Sequence, residues 1–330
     1  MRSYKLLFIF IVLSKCLLAQ DSIQKYRKEK SILDYSPTEN KGRIIALSST
    51  MGLVYSGAMI GLNELWYVNY PRSSYHLFED SGEWLQIDKC GHAHSAYSVS
   101  QNLYHVFRWM GLNQKKSAVF SSLTGFLAIS SIEIYDGFSA EYGASLSDLG
   151  ANAFGSVLAL SQNLAWGQQR IQMKQSVHLD KYPGGDLGTR AKDLYGSSLI
   201  ERAFKDYNNI NIWLSVNPAK FTPKWKHAKW ISFAVGYGAG NLYGGYTNVW
   251  TTKDGIKHDY SNVKRYRKFF ISVDYDLTQI KTRSRVLKAT FNVLNMIKLP
   301  APAIEFNTLG QVIVHPIYFL NLDIPFYLKK

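Results

Sequence analysis

The apolar residues of this chain change their spacing along the sequence, and this change constrains the fold more than any other feature. Apolar stretches typical of helices occupy the first half, at residues 44–63, 87–110, 117–135 and 147–169. Later in the chain apolar and polar residues alternate, which predicts strands at 212–216, 231–237, 269–277 and 312–319, with one helix at 282–297. The sequence therefore predicts an α+β protein, in which a four-helix bundle precedes a β-rich, mainly antiparallel half.

The same patterns divide the chain into five segments. We predict a signal peptide (1–20), a flexible basic lead-in (21–43), a helical domain (44–175), a linker (176–204) and a β-rich domain (205–330). Within the first helix, Gly52, Gly57 and Gly61 predict a close approach to a neighbouring helix. Ser147 or Ser145 is the expected N-cap of the fourth helix.

The N-terminus indicates export from the cytoplasm. Arg2 and Lys5 precede an apolar run from Leu6 to Leu13, which is typical of a signal peptide, with cleavage near Gln20. A first transmembrane helix is the alternative, although the run is shorter than the roughly 18 residues that a span needs. An exported chain with few cysteines and many Tyr, Trp and Asn residues suggests a bacterial envelope protein, and we expect it in the periplasm or outer membrane of a Gram-negative bacterium.

Composition narrows the class further. A hydrophobic content of 46% excludes a disordered chain, and two cysteines exclude a disulfide scaffold or a cysteine-rich metal site. Lys15 precedes Cys16, so the chain lacks the small residue that a lipidation signal requires. Removal of the signal peptide would leave Cys90 alone, as a small packing residue rather than a nucleophile.

The basic charge predicts an anionic partner in the envelope. The net charge of +14 falls to +11 when Arg2, Lys5 and Lys15 leave with the signal peptide (14 − 3 = 11). Export argues against nucleic acid, so we expect an anionic lipid, a polysaccharide or an envelope protein as the partner, together with membrane association. The helices are only moderately apolar, and polar residues lie within each of them. Both a peripheral and a membrane-inserted bundle are therefore compatible with the sequence.

Three features of the β-rich half are explained by structure alone, without a special function. About five or six strands are fewer than the roughly eight of the smallest outer-membrane barrels, which favours a small sheet packed on helices. Gly236, Gly238 and Gly240 indicate a glycine-rich turn rather than a nucleotide-binding loop, because no helix is predicted after them. The basic segment 264–268 is expected to be an exposed, charged strand edge.

Two polar segments carry the residue types used in chemistry. Asp88 and His92 are four residues apart on the second helix and therefore share a face, with Lys89 beside them. An aspartate close to a histidine fixes the imidazole tautomer and raises its basicity. We expect His94 to face away from Asp88 and to lie at the surface.

The second polar segment ends the third helix and begins the fourth. Glu133 and Asp136 are three residues apart, and Ser147, Asp148 and Asn152 follow a small-residue loop. If the helices pack together, these side chains meet Asp88, Lys89 and His92 inside the bundle. Buried ionisable groups are costly unless they are paired, so the cluster is either a structural network or a functional site.

The order of these motifs carries a family resemblance over roughly residues 60–170. Asp88-Lys89-x-x-His92, Glu133-x-x-Asp136 and Ser147-Asp148-x-x-Ala151-Asn152-x-x-Gly155 resemble the YfiM-like family of predicted periplasmic lipoproteins of unknown function. They are more distantly similar to the VanZ-like family of small helical membrane proteins. Three further short segments resemble a longer version of this domain, found in envelope proteins of Bacteroidetes-type bacteria. They are Asn63-Glu64-Leu65-Trp66-Tyr67, Phe138-Ser139-Ala140-Glu141-Tyr142-Gly143 and Leu164-Ala165-Trp166-Gly167-Gln168-Gln169-Arg170. The resemblance implies a cell-envelope location but no activity.

Two functions from different classes are compatible with these residues. The first is a non-enzymatic binding or structural protein, with a binding cluster composed of Asp88, Lys89, His92, Glu133, Asp136, Ser147, Asp148 and Asn152. The second is a hydrolase or transferase for a lipid-linked or phosphorylated substrate, with His92 as the acid–base group oriented by Asp88. No cofactor is required by the sequence, but a divalent metal is compatible with four candidate ligands, His92, Glu133, Asp136 and Asp148.

Overall fold

The computed structural model confirms an α+β architecture. It describes residues 34–68, 71–178, 181–222, 224–225, 228–318 and 324–327. The predicted signal peptide and residues 21–33 of the lead-in lie outside the described residues. The first half is helical, and the second half contains a mainly antiparallel sheet.

The helices of the first half follow the predicted order. They are α1 (Lys41–Leu62), α2 (Ile87–Met110), α3 (Gln114–Ser130), α4 (Ile132–Gly137) and α5 (Leu146–Trp166). The bounds of α2 are those predicted, and its C-terminal cap, Gly111, needs its glycine for two reasons. Its φ is +98°, and a Cβ there would lie 1.9 Å from the carbonyl oxygen of Thr38.

The predicted third helix is divided into α3 and α4. The Ser131 hydroxyl donates a hydrogen bond of 2.7 Å to the carbonyl oxygen of Ala128, which competes with the regular helical ladder at the break. The break lets Glu133 and Asp136 lie on a separate short helix, α4.

Three of the four predicted bundle helices pack closely, and glycines make this possible. A Cβ on Gly125 of α3 would lie 2.2 Å from the Ser100 hydroxyl of α2, and a Cβ on Gly155 of α5 would lie 2.0 Å from the carbonyl oxygen of Ala93. The expectation that α1 approaches a neighbour through its own glycines was wrong. A Cβ added at Gly52, Gly57 or Gly61 would meet no atom within 4 Å, and α1 has no buried residue. The close-packed unit is therefore α2, α3 and α5, with α1 outside it.

Two segments of the described chain are long and apolar enough to cross a membrane by length and composition. They are Lys41–Leu62, of which 6% of the apolar window is buried, and Gln114–Gly137, of which 33% is buried. Burial of a third of the second segment reflects its packing on α2 and α5.

The second half forms a sheet whose strand order, within the described residues, is β1-β2-β3-β6-β7-β8-β9, with every neighbouring pair antiparallel. A separate hairpin pairs β4 with β5. The strands are β1 (Ile171–Val177), β2 (Ile210–Val216), β3 (Ile231–Gly240), β4 (Val249–Thr251), β5 (Lys257–Asp259), β6 (Tyr266–Tyr275), β7 (Ala303–Asn307), β8 (Gln311–His315) and β9 (Ile324–Tyr327). The helices of this half are α6 (Asp186–Tyr195), α7 (Leu199–Lys205) and α8 (Arg285–Leu294). The sheet has seven strands in the described part of the chain, more than the five or six expected.

Two further expectations for this half were wrong. Gly236, Gly238 and Gly240 lie inside β3 rather than in a turn. These positions are glycines because larger side chains on neighbouring strands occupy the space where their Cβ atoms would lie. Residues 266–268 of the basic segment belong to β6, which is an interior strand between β3 and β7 rather than an exposed edge. Pro316 follows the last residue of β8, so it does not interrupt a strand.

The helical and β-rich halves share one hydrophobic core. Ile87, Ala93 and Tyr97 of α2 and Ala159 of α5 pack against a group from the sheet side, Met173, Ile210, Ile212, Ala239 and Leu242. Cys90 packs against this core, as expected, and burial raises the pKa of its thiol to about 11. The sheet begins at Ile171, inside the segment predicted to be helical, and the predicted linker carries α6 and α7.

Candidate functional site

The predicted polar residues meet where the N-terminal ends of α2 and α5 face each other. Lys89 is at the centre of the ion pairs. Its Nζ lies 2.5 Å from Asp80 Oδ2, 3.0 Å from Asp88 Oδ2 and 2.9 Å from Asp148 Oδ1. We call the group formed by Asp80, Asp88, Lys89, His92, Glu133, Asp148 and Asn152 the acidic cluster.

Local capping places Asp148 in the cluster. Ser145 is the N-cap of α5, and its hydroxyl accepts a hydrogen bond of 3.0 Å from the Asp148 backbone N–H. The same hydroxyl donates a hydrogen bond of 2.5 Å to Asp80 Oδ1, and the Ser147 hydroxyl donates to the same oxygen at 2.8 Å. Ser145 therefore both caps α5 and anchors Asp80, and Ser147 adds a second hydrogen bond to Asp80.

A strained turn positions the start of α2. Trp84, Leu85 and Gln86 have φ values of 50°, 52° and 65°, a left-handed conformation that costs about 1 kcal/mol or more per non-glycine residue. The sheet side holds this turn in place. Tyr237 of β3 donates a hydrogen bond to the carbonyl oxygen of Leu85, and Arg267 of β6 donates one to the Gln86 side chain.

His92 lies between the carboxylates. Its Nε2 is 4.0 Å from Asp88 Oδ1 and 4.0 Å from Asp148 Oδ1. On the other side of the ring, Nδ1 is 3.2 Å from Asn152 Oδ1 and 3.8 Å from Glu133 Oε1. One ligand atom from each of Asp88, His92 and Asp148 lies within 4.8 Å of the others, a spacing that a metal ion could bridge.

Two buried carboxylate oxygens of the cluster accept no hydrogen bond from the described residues. They are Glu133 Oε1 and Asp148 Oδ1, on residues that are 3% and 4% exposed. Asp148 Oδ1 is close enough to Lys89 for an ion pair, but the hydrogen bond from Lys89 goes to Asp148 Oδ2, at 3.0 Å. The Lys89 charge thus stabilises Asp148 Oδ1, whereas Glu133 Oε1 has only the more distant His92 ring, 3.8 Å away, and is the buried acceptor that calls for another partner.

The pKa values of the two aspartates Asp88 and Asp148 are shifted in opposite directions. Burial and the charge of Asp88 raise the pKa of Asp148 to about 8. Burial opposes ionisation of Asp88 as well, but His92 and Lys89 outweigh it and lower the pKa of that carboxyl. For His92, burial is outweighed by the charges of Asp88, Asp148 and Glu133, and its pKa is raised.

The structure brings together most of the residues singled out from the sequence. Asp88, Lys89, His92, Glu133, Asp148 and Asn152 are mutual neighbours, and Ser147 binds Asp80 at the edge of the group. Asp136 is held apart by a hydrogen bond of 2.7 Å that its Oδ1 accepts from Tyr67. The surface expectation for His94 was wrong. Its side chain is buried against the segment after α8, with Nε2 3.4 Å from the carbonyl oxygen of Met296.

Sequence reasoning missed two members of the site. Asp80 lies in a loop whose residues, Glu79-Asp80-Ser81-Gly82, are typical of a turn, so no local signal separates it from an ordinary loop acid. Tyr207 precedes β2 and donates a hydrogen bond of 2.5 Å to Asp88 Oδ1 across 119 residues of sequence. No spacing rule reaches that far along a chain.

The acidic cluster opens into a cleft of about 1680 Å³. Asp80, Asp88, His92 and Asp148 line it from the helical side, and Tyr207 and Ile210 line it from the sheet side. The cleft is large enough for a ligand to reach the cluster.

Comparison with known proteins gives one finding. Residues 76–163 match the sequence model of a family described as "Predicted periplasmic lipoprotein (DUF2279)". Comparisons with curated proteins and with solved structures gave no match. The match includes every residue of the acidic cluster and supports the predicted location. The chain is an exported protein that is periplasmic or associated with the cell envelope.

The family match leaves the finer predictions where they were. It begins at residue 76, so the predicted signal peptide and the missing lipidation signal at Cys16 stay predictions. The YfiM-like and VanZ-like resemblances also stay predictions.

Proposed function

We propose that this exported protein is a non-enzymatic binding protein of the cell envelope whose acidic cluster holds a divalent transition-metal cation. The observation that carries the proposal is the convergence of Asp88, His92 and Asp148 within 4.8 Å. One imidazole nitrogen with two carboxylate oxygens is a ligand set that suits Zn²⁺ better than Mg²⁺ or Ca²⁺, which prefer oxygen alone.

The free coordination capacity of a buried carboxylate oxygen supports the same proposal. Asp148 Oδ1 accepts no hydrogen bond and lies 4.0 Å from His92 Nε2, so a cation between them would be coordinated by this oxygen in addition to its ion pair with Lys89. Asn152 and Glu133 lie against the other ring nitrogen of His92, where metal-bound histidines ordinarily have a hydrogen-bond partner.

The charge balance of the cluster also favours a cation. Four carboxyl groups, those of Asp80, Asp88, Glu133 and Asp148, share the site with two basic groups, those of Lys89 and His92. Without a further positive charge, burial and the charge of Asp88 keep the pKa of Asp148 at about 8. With His92 neutral, as a metal ligand must be, four ionised carboxylates and Lys89 leave an excess of three negative charges, of which a divalent cation would offset two.

An anionic envelope component is the ligand that such a site fits. Three protein ligands leave one position of a tetrahedral cation open, and the cluster faces the cleft. A phosphate of an envelope lipid or polysaccharide would bind at this position, which agrees with the anionic partner expected from the sequence.

Titration with ZnCl₂ at pH 7.5, followed by calorimetry, tests the proposal. We expect one cation per chain for the native protein and an affinity at least about tenfold weaker for Asp148→Asn and for His92→Gln. The matched control is Glu141→Gln, which removes an acid that lines the same cleft outside the acidic cluster and should leave the affinity unchanged.

The outcome that would overturn the proposal is equally specific. Absence of a one-to-one binding event in the native protein contradicts it, and so does equal weakening in Asp148→Asn and Glu141→Gln. Circular dichroism of each variant separates loss of binding from loss of fold.

A further inference from the structure

The two faces of the sheet reverse the arrangement usual in a protein surrounded by water: polar side chains are buried on one face, and large apolar side chains are exposed on the other. Because paired residues of antiparallel strands point to the same side, the register assigns each side chain to a face. One face, here called the polar face, carries a small buried apolar cluster around Trp213 and Phe270. Around that cluster it carries buried polar side chains: Lys174, Asn211, Ser215, Ser232, Ser272, Asp274, Glu305 and His315. Its charges are paired inside the protein, as between Lys174 Nζ and Asp274 Oδ2 at 2.8 Å.

The opposite face, here called the apolar face, carries large apolar side chains that are exposed on β3, β6 and β7. Val235, Ile271 and Ile304 are directly paired across the three strands and are 57%, 58% and 40% exposed. Phe269 and Phe306 form the next paired row, and Phe233 precedes the first. Contiguous apolar rows of this kind are not scattered surface residues and indicate a contact surface.

The same apolar face meets the helical half on its other strands. Met173 of β1 and Ile210 and Ile212 of β2 lie on it and pack in the core shared with α2 and α5. The exposed rows on β3, β6 and β7 are therefore on the side of the sheet that bears the helices.

Helix α3 shows the same arrangement, with small or polar residues buried and large apolar residues exposed. The buried residues of α3 are small or polar, namely Ser117, Ala118, Ser121, Ser122 and Gly125. Its exposed residues include four large apolar side chains, namely Val119, Phe120, Leu123 and Leu127. Small residues between helices and large apolar residues outside are typical of helices that pack in a membrane.

Helix α1 identifies what covers these surfaces. It has no buried residue, no charge between Ile44 and Leu62, and apolar side chains on all sides. A flat protein surface, including that of a second copy, covers one side of a helix, whereas hydrocarbon surrounds it. The 22 residues of α1 are about 33 Å long, close to the roughly 30 Å of a bilayer's hydrocarbon layer.

We propose that the apolar face of β3, β6 and β7 contacts the acyl chains of a lipid bilayer, together with α1 and the exposed side of α3. The protein is then embedded in an envelope membrane through both of its halves, with its polar side chains turned inward. This inference rests on surface polarity and is independent of the proposed cation site.

Site-specific labelling tests the contact directly. The sequence has two cysteines, Cys16 and Cys90, and the full chain carrying Cys16→Ala and Cys90→Ala is the background. Ile271→Cys on the apolar face is compared with Asp254→Cys, an exposed position in the loop between β4 and β5. Each variant is labelled with an environment-sensitive fluorophore and reconstituted into vesicles of phosphatidylethanolamine and phosphatidylglycerol.

The expected result is opposite for the two positions. A nitroxide on the lipid acyl chain should quench the label at 271 at least about threefold more strongly than the label at 254, whereas aqueous iodide should quench the label at 254 more strongly. The native protein should also stay with the vesicles after a carbonate wash at high pH, a measurement that needs no variant.

Three outcomes would overturn the inference. Equal quenching of both labels by iodide would show that the apolar face is in water. Protection of the label at 271 from iodide without quenching by the acyl-chain nitroxide would show that a protein, such as a second copy, covers the face. Release of the native protein by carbonate would show that it is peripheral.

Discussion

At the residue scale, His94 illustrates how burial changes the chemistry of a side chain. Burial lowers the pKa of His94 to about 4, against a small opposing effect of its contact with the carbonyl group of Met296. The unfolded chain has a histidine pKa near 6.5, so between pH 6.5 and 4 the unfolded state binds more protons than the folded state. The free energy of unfolding should therefore fall as the pH is lowered through this window.

The first prediction follows from that shift. Replacement of His94 by Gln removes the titrating group and keeps an amide that can reach Ser98, whose hydroxyl lies 3.2 Å from His94 Nε2. We expect the native protein to lose about 2–3 kcal/mol more stability than His94→Gln between pH 6.5 and 4. Urea unfolding in detergent solution at several pH values measures the difference, and parallel pH profiles for the two proteins would contradict the prediction.

At the element scale, β3 depends on residues without side chains. Gly238 lies on the polar face of the sheet opposite Asn211 of β2, and a Cβ there would be 1.8 Å from Asn211 Oδ1. Asn211 is held in place by a hydrogen bond of 2.6 Å from its Nδ2 to the Tyr318 hydroxyl oxygen. The glycine therefore makes room for a buried polar contact across the sheet.

The second prediction concerns this glycine. Gly238→Ala should lower the free energy of unfolding by about 1–3 kcal/mol, because the added methyl group forces Asn211 to move. Gly184→Ala is the matched control, since a Cβ there meets no atom within 4 Å, and its effect should be under about 0.5 kcal/mol. Equal effects of the two substitutions in denaturant unfolding would show that the space around Gly238 is not limiting.

At the scale of the whole molecule, a shared hydrophobic core joins the helical and β-rich halves. Residues of α2 and α5 pack directly on residues of β1 and β2, and Tyr207 and Tyr237 reach from the sheet side to the acidic cluster and its turn. The sheet also has a small core of its own, formed by Trp213, Ala234, Phe270, Ala303 and Tyr318, but the larger core crosses the boundary between the halves, so we expect the two halves to unfold together.

The third prediction is a single unfolding transition. Far-UV circular dichroism at 222 nm follows mainly the helices, and tryptophan fluorescence includes Trp213, which is fully buried in β2. In detergent solution the two signals should give the same midpoint. Midpoints that differ reproducibly would show that the halves unfold independently.

The sequence predicted the bounds of helices and strands better than it predicted which elements pack or pair with one another. The period of α2 and the alternation in β3 and β6 depend on nearby residues, so these elements were identified close to their observed bounds. The interior position of β6 and the glycines of β3 were missed because both depend on strands distant in sequence. The Asp88–His92 pair was likewise local, whereas Asp80 and Tyr207 came from loops whose residues show no periodic signal.

By itself the sequence determined the α+β class, the order of helices and strands, and the residues around Asp88, His92 and Asp148, because periodicity and short spacings act within one element. Only the tertiary structure decided which faces are covered. It decided that α1 lies outside the packed bundle, that His94 is buried, and that the sheet buries its polar face while its apolar face is exposed on β3, β6 and β7. An alternating strand has the same sequence pattern whichever face is buried, so the direction of burial is set by contacts between elements.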